Sequence, residues 1–298
     1  MLVILHGKSA ADASIKDAIE RVRQRGHSLT VQTTQEPGDA ARFASEAVRS
    51  GIEIVVAGGG DGLLSEVING VLTMDEFPKT AVGVLPVGTA NDFASGCGIP
   101  PDPFEALLLS AEGMPLMIDV GKASDRFFIN TITAGFGAEV TARTPSSMKK
   151  AVGGGAYSIT AFITAVRLQP YEVTIRMPEG GTHESILLLT AANGRQAGGG
   201  YEVAPKASID DGLLDVMFVR EFLLRDLKAV AQELSHLGET EGRFVYYKQL
   251  PSLDIEFREE SPVNVDGEPQ TMRTLTITLL HRRLPFLLPR DTPLHRSR

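Results

Sequence analysis

The sequence predicts an α/β chain in two parts, a parallel sheet with covering helices followed by an antiparallel, sandwich-like β domain. Two observations carry that prediction. Up to residue 85, short apolar runs alternate with segments of helical periodicity, the pattern of parallel strands joined by helices. After about Met114 the texture changes to many short strand-like runs separated by Gly, Pro and Asp turns, which suits an antiparallel arrangement. At 298 residues the chain is long for one core and fits two domains, 1–120 and 121–298, with the C-terminal tail packing back on the first.

Taken in order, strands are expected at 2–5, 29–34, 53–57 and 82–85, with helices near 12–25, near 39–50 and from Leu63. In the last of these, Leu64, Val67, Ile68 and Val71 stand at i, i+3, i+4 and i+7, so one face is buried and the N-terminus is fixed against the sheet. Ligands of such sheets sit at the carboxyl ends of strands. Two unusual loops stand there: Gly58-Gly59-Gly60-Asp61-Gly62, and Leu85-Pro86-Val87-Gly88-Thr89-Ala90-Asn91-Asp92. Glycines let backbone N–H groups crowd a polyanion, the helix that follows adds unpaired N–H groups, and the acid can act through a metal or a hydroxyl. A plain glycine turn needs neither the acid nor the second loop, so the pattern indicates nucleotide-phosphate chemistry. Later strands are expected at 127–133, 172–177, 185–191, 213–219, 253–257 and 275–280, with helical inserts near 157–168 and 222–237.

A net charge of −8 argues against a broad nucleic-acid surface. No run approaches the roughly 18 apolar residues of a membrane span, and no secretory h-region follows a charged start. A single cysteine, Cys97, agrees with a reducing compartment, so the cytoplasm is the expected location. The tail is basic and apolar, with Arg282, Arg283, Arg290, Arg296 and Arg298 among leucines, and suits either an anionic bilayer surface or plain packing on the body.

Common alternatives fail on position. A P-loop ending at Gly7-Lys8-Ser9 needs a glycine at residue 2, which is Leu2, and a dinucleotide fingerprint from Gly58 or Gly60 needs one at Leu63 or Ser65. The six histidines lack the spacing of a zinc helix, and no Gly-x-Ser-x-Gly elbow occurs.

Gly59-Gly60-Asp61-Gly62 with Glu66, followed by the Pro86-to-Ala94 segment, resembles the diacylglycerol kinase catalytic domain shared by lipid and sphingosine kinases. Asn193-Gly194-Arg195-Gln196-Ala197-Gly198-Gly199-Gly200, Asp211-Gly212-Leu213-Leu214 and Val265-Asp266-Gly267-Glu268-Pro269 extend the resemblance to the bacterial YegS-type lipid kinases over nearly the whole chain. NAD kinases share the Gly-Gly-Asp-Gly element but not the Pro-x-Gly-Thr-x-Asn-Asp loop.

The resemblance implies a Rossmann-like nucleotide domain, a lipid- and metal-binding β domain and an active site in the cleft between them. It implies MgATP as donor and a membrane lipid hydroxyl as acceptor. By position it makes Thr34, Gly60, Asp61, Gly62, Leu63, Leu64, Ser65, Glu66 and Thr89 the ATP contacts. It makes Asp211 a metal-binding carboxylate, with Ser208 and Leu213 contributing backbone carbonyls, and Glu268 the proton acceptor. Oxygen ligands suit Mg²⁺ or Ca²⁺. The residues alone also allow Asp211-Gly212 and Asp266-Gly267 to be ordinary turns. Three positions depart from the family: Leu63 replaces threonine, Ser65 replaces asparagine and His6 replaces asparagine. Three readings stay open: a lipid kinase, peripheral at the inner membrane surface, with no protein partner indicated; a catalytically weak nucleotide- or lipid-binding regulator; and a kinase of a soluble dinucleotide or sugar.

Overall fold

The computed structural model describes residues 1–75, 77–135, 169–197, 200–239 and 242–295. The expected helix at 157–168, Met148, Lys149 and Lys150 before it, Gly198 and Gly199, and Arg296 and Arg298 of the tail lie outside the described residues.

Strands β1 (Leu2–Leu5), β2 (Thr30–Thr33), β3 (Ile54–Gly59) and β4 (Ala81–Pro86) pair in parallel in the order β4-β3-β1-β2. Helices α1 (Ala13–Gln24), α2 (Asp39–Arg49) and α3 (Asp61–Met74) connect them. Two further helices were not legible as elements: α4 (Asp92–Gly96) and α5 (Pro103–Glu112). The second carried a signal, since Asp102 caps the N–H groups of Phe104 and Glu105 and Pro103 stands at the first helical position. Helix α2 packs on α3 and α1 on α5, and the first hydrophobic core fills the space between helices and sheet.

Eleven further strands follow: β5 (Pro115–Ala123), β6 (Arg126–Phe128), β7 (Thr131–Gly135), β8 (Tyr171–Met177), β9 (Gly180–Ala192), β10 (Gln196–Ala197), β11 (Tyr201–Glu202), β12 (Leu214–Arg220), β13 (Val245–Leu250), β14 (Ser252–Val265) and β15 (Glu268–Leu287). The single strand expected at 127–133 is two, because the backbone between them turns to meet the Asp266 carboxylate. The helix expected at 222–237 is shorter: a 3₁₀ turn at Leu224–Asp226 leads into α6 (Leu227–Ser235), since Leu223 is extended and no side chain caps an earlier start.

The sandwich-like wrap comes from two long strands. Strand β9 pairs with β8 through its first half and β7 through its second, and β14 likewise pairs with β8 and then β7. Both therefore pass from one layer to the other around a second core that includes Phe128, Ile132, Ile175, Leu189, Phe218, Phe257 and Val265. Strand β15 runs beside β14 and β5 and reaches the parallel sheet, where Phe286 pairs with Val82 of β4.

Backbone packs directly on backbone where α2 meets α3. A Cβ on Gly70 would lie 2.2 Å from the Ala41 carbonyl oxygen, and Ser45 Oγ donates to the Gly70 carbonyl at 2.9 Å. Because the obstacle is backbone, Gly70→Ala should lower unfolding stability by roughly 1–3 kcal/mol in a urea titration, despite alanine's better helix propensity; an unchanged midpoint would refute the contact.

Candidate active site

The carboxyl ends of β1 to β4 converge on one edge. Thr34 lies just past β2, its N–H donating to the Leu5 carbonyl at 2.9 Å and its own carbonyl beneath Gly7. Gly58 and Gly59 end β3, and Gly60 is the N-cap of α3, with no side chain capping the helix. The N-terminal N–H groups of α3 are therefore available to an anion. The two expected loops touch backbone to backbone: a Cβ on Gly88 would lie 2.3 Å from Gly60 Cα, and Val87 N–H donates to the Gly59 carbonyl at 3.2 Å. Asn91 holds the second loop by accepting from Gly88 N–H at 3.0 Å and donating to the Pro86 and Gly88 carbonyls, and its own backbone is left-handed at φ 53°.

Asp61 is not an uncommitted acid. One of its oxygens accepts from Asp92 N–H at 3.1 Å and the other from Phe93 N–H at 3.2 Å, so the first residue of α3 caps the start of α4 and locks the two loops together. Asp92 is buried and accepts from Gly200 N–H at 2.7 Å, which ties the second glycine-rich loop to the same place. Glu66 accepts from Gly38 N–H at 3.1 Å, linking α3 to the start of α2. Gly62 and Thr89 are exposed, whereas Leu63, Leu64 and Ser65 are buried. Leu63 packs on Gly59, and the Ser65 hydroxyl makes no hydrogen bond. Neither side chain reaches toward the edge where the backbone N–H groups converge. His6, the third departure, instead accepts from Lys8 N–H at 3.3 Å and caps the turn Gly7–Ser9.

The β domain brings its own acids. Asp266 and Gly267 form the two-residue turn between β14 and β15, both with positive φ as such a turn requires. The turn is anchored because the Asp266 carboxylate accepts from the N–H groups of Ile129, Asn130 and Thr131 at 2.7, 3.0 and 2.9 Å. Burial pushes its carboxyl up to about 6, the Asp61 charge adds to that, and the three donors oppose it. Two residues after Asp266, Glu268 forms an ion pair with Arg126 of β6, Oε2 to Nη2 at 2.8 Å. Arg126 was not singled out from the sequence, where nothing marks an arginine at the start of a short strand.

The expected metal segment is a compact turn. Asp211 accepts from Leu213 N–H at 3.0 Å, and Gly212 between them has φ 77°. The single Ser208 hydroxyl proton has two acceptors in reach, Asp210 Oδ1 at 2.9 Å and the Leu294 carbonyl at 3.0 Å. Gly212 N–H donates to Asp119 at 2.7 Å, and Asp119 also takes His281 at 2.9 Å and Arg282 N–H. Nearby Asp215 accepts from the Tyr247 hydroxyl and from Gln249 at 3.2 Å, and burial, with the Asp211 charge adding to it, pushes its carboxyl up to about 6. A hard cation suits this excess of acid and carbonyl oxygen. Among the described residues, though, no three His, Cys, Asp or Glu side chains are arranged to hold one.

Two tests follow from this geometry. Asp61→Ala leaves two N–H groups of α4 without an acceptor and frees the loops, so MgATP affinity by calorimetry should fall roughly tenfold or more; wild-type affinity would detach the loop from the nucleotide. Asp39, at the start of α2, is held down to about 2 by the Gln35 N–H, the Arg42 guanidinium and the Glu36 N–H. Its unfolded value is about 3.9, so the stability it contributes is complete above about pH 4 and is lost as pH falls toward 2. The stability difference between the wild type and Asp39→Asn should therefore be constant down to about pH 4 and shrink below it; a difference independent of pH would refute the assignment.

Residues 1–123 match the family of the diacylglycerol kinase catalytic domain, and residues 130–287 match the YegS C-terminal NAD kinase beta sandwich-like domain. A protein of Chromohalobacter salexigens named "Probable lipid kinase YegS-like" is 43% identical over 293 residues, 98% of this chain and 94% of that one. A protein of Shewanella frigidimarina with the same name is 37% identical over 292 residues, again 98% and 94%. A crystal structure described as a diacylglycerol kinase from Bacillus anthracis shares the fold, with a TM-score of 0.73 at 19% identity over 97% of both chains. This chain belongs to the diacylglycerol kinase catalytic-domain family, in its YegS-like branch, and is a phosphotransferase with an alcohol group as acceptor.

Proposed function

We propose that this chain is an ATP-dependent lipid kinase that transfers the γ-phosphoryl group to a hydroxyl of a glycerolipid or glycerophospholipid, with Glu268 as proton acceptor. The observation that carries the reading is the uncapped N-terminus of α3 with the second loop locked against it through Asp61; the same helix reaches, through Asn69, the strand whose Arg126 pairs with Glu268. The relatives' printed names support a lipid as acceptor.

In this reading the backbone N–H groups at the start of α3 and in the loops around Gly60 and Gly88 hold the phosphates, from Gly60 to Glu66, with Thr34 and Thr89 at the rim. Mg²⁺ supplied with ATP neutralises phosphate charge. A metal near the β domain would be held by Asp211 and the carbonyls of Ser208 and Leu213, steadying the 208–213 turn. As the acceptor oxygen bonds to the γ-phosphorus, the bond to the bridging oxygen breaks, ADP leaves with that oxygen, and the acceptor proton passes to the Glu268 carboxylate. In this reading the acceptor is reached at a membrane surface from the cytoplasmic side; among the described residues no helix is long and apolar enough to cross a membrane. The buried side chains of Leu63 and Ser65 favour a second reading, binding without transfer, while a cradle made of backbone N–H groups favours an active enzyme.

Incubation with γ-labelled ATP, Mg²⁺ and a bacterial lipid extract in micelles separates the readings. Label should enter the organic phase, and Glu268→Gln should lower that transfer by roughly 10²- to 10⁴-fold while leaving ATP binding intact. Label on a water-soluble acceptor would overturn the lipid reading, and bound ATP without any transfer would favour the regulator.

A further inference from the structure

We infer that Arg126 is the positioning residue for Glu268, holding one carboxylate oxygen so that the other is presented to the acceptor hydroxyl. The inference rests on Glu268 being the proton acceptor. The two residues are 142 apart in sequence, yet both ends of their ion pair are fixed by backbone anchors. On one side, Asp266 grips Ile129 to Thr131, and Gly267 N–H donates to Asn264 at 2.7 Å, so the turn before Glu268 cannot swing. On the other, Asn69 of α3 clasps the residue after Arg126. It accepts from Phe127 N–H at 3.0 Å and donates to the Phe127 carbonyl at 2.9 Å. The same helix that begins at the nucleotide loop therefore sets where Arg126 stands.

The contact divides the carboxylate. Oε2 meets Arg126 Nη2, and Oε1 makes no hydrogen bond among the described residues. One oxygen is held and the other is left for a proton. A purely structural role fits poorly, because both side chains are partly exposed, at 28% and 39%, and ion pairs at that exposure contribute little to stability. Arg126 Nε is shielded from solvent without a partner, which also costs stability and marks a side chain placed for its Nη2 contact.

The experiment compares wild type, Arg126→Met, Arg126→Lys and Glu268→Gln with the lipid extract in micelles, reading kcat, KM for ATP and the thermal midpoint. Arg126→Met should lower kcat roughly 10- to 100-fold, with KM for ATP and the midpoint unchanged. Arg126→Lys should recover most of the loss, since only one nitrogen of the fork is used. Loss of transfer in Glu268→Gln with wild-type kcat in Arg126→Met overturns the role of Arg126 alone. Wild-type kcat in Glu268→Gln overturns the proton-acceptor reading and this inference with it. A loss in Arg126→Met that comes with a lowered midpoint or a raised KM for ATP, or that lysine does not repair, makes the arginine structural and also overturns the inference.

Discussion

Strand β15 runs twenty residues without leaving the sheet, and the geometry of the site hangs on its ladder. Its first residue is Glu268, its middle pairs with β14 and β5, and its end reaches β4 in the parallel sheet. Because ladder hydrogen bonds repeat at fixed spacing, a strand so paired is a stiff strut between the turn that bears Glu268 and the sheet that bears the two glycine-containing loops. Its ladders carry two register shifts, one opposite Glu256 to Ser261 of β14 and one against β5 between Leu280 and Leu284, where Arg282 takes φ 46°. That kink brings His281 and the Arg282 N–H onto Asp119, and Asp119 in turn holds Gly212. The bend is thereby coupled to the segment that carries Asp211.

Carboxylates serve as the joints of this structure. Asp61, Asp92, Asp119 and Asp266 each accept backbone N–H groups from a segment distant in sequence. A carboxylate has several acceptor positions and loses water on burial, so it is retained inside only where donors replace that water. Two of these joints link the first 123 residues to segments of the later strands: Asp92 to Gly200, and Asp119 to Gly212. Asn69 is a third link of the same kind with an amide in place of the acid. An amide can donate and accept at once, which is what clasping both backbone groups of one residue requires.

The departures at Leu63 and Ser65 have a common physical basis. Both side chains turn inward from the first two turns of α3, one onto Gly59 and the other into a site that offers its hydroxyl no partner. The N–H groups of the same turns belong to the backbone and do not change with the side chain, so the anion-binding character of the helix end survives either substitution. His6 shows similar tolerance, since its ring nitrogen caps the short turn that follows.

Much of this was legible in the residues. Apolar periodicity marked the four parallel strands and three of their helices, and the glycine loops stood where strand ends place ligands, because those signals are local. Asp266-Gly267 announced its turn for the same reason, as the positive φ it needs is a property of the two residues themselves. What the sequence could not reveal is long-range. That Asp61 spends both oxygens on α4, that Asp266 grips residues more than 130 positions away, and that Arg126 meets Glu268 depend on which chain segments lie side by side. The passage of β9 and β14 between layers and the return of β15 to β4 are set the same way, by partner strands rather than by the residues of the strand itself. Local backbone preference and hydrophobic pattern determined the elements and the loops; tertiary pairing decided which acids are joints and which one meets Arg126.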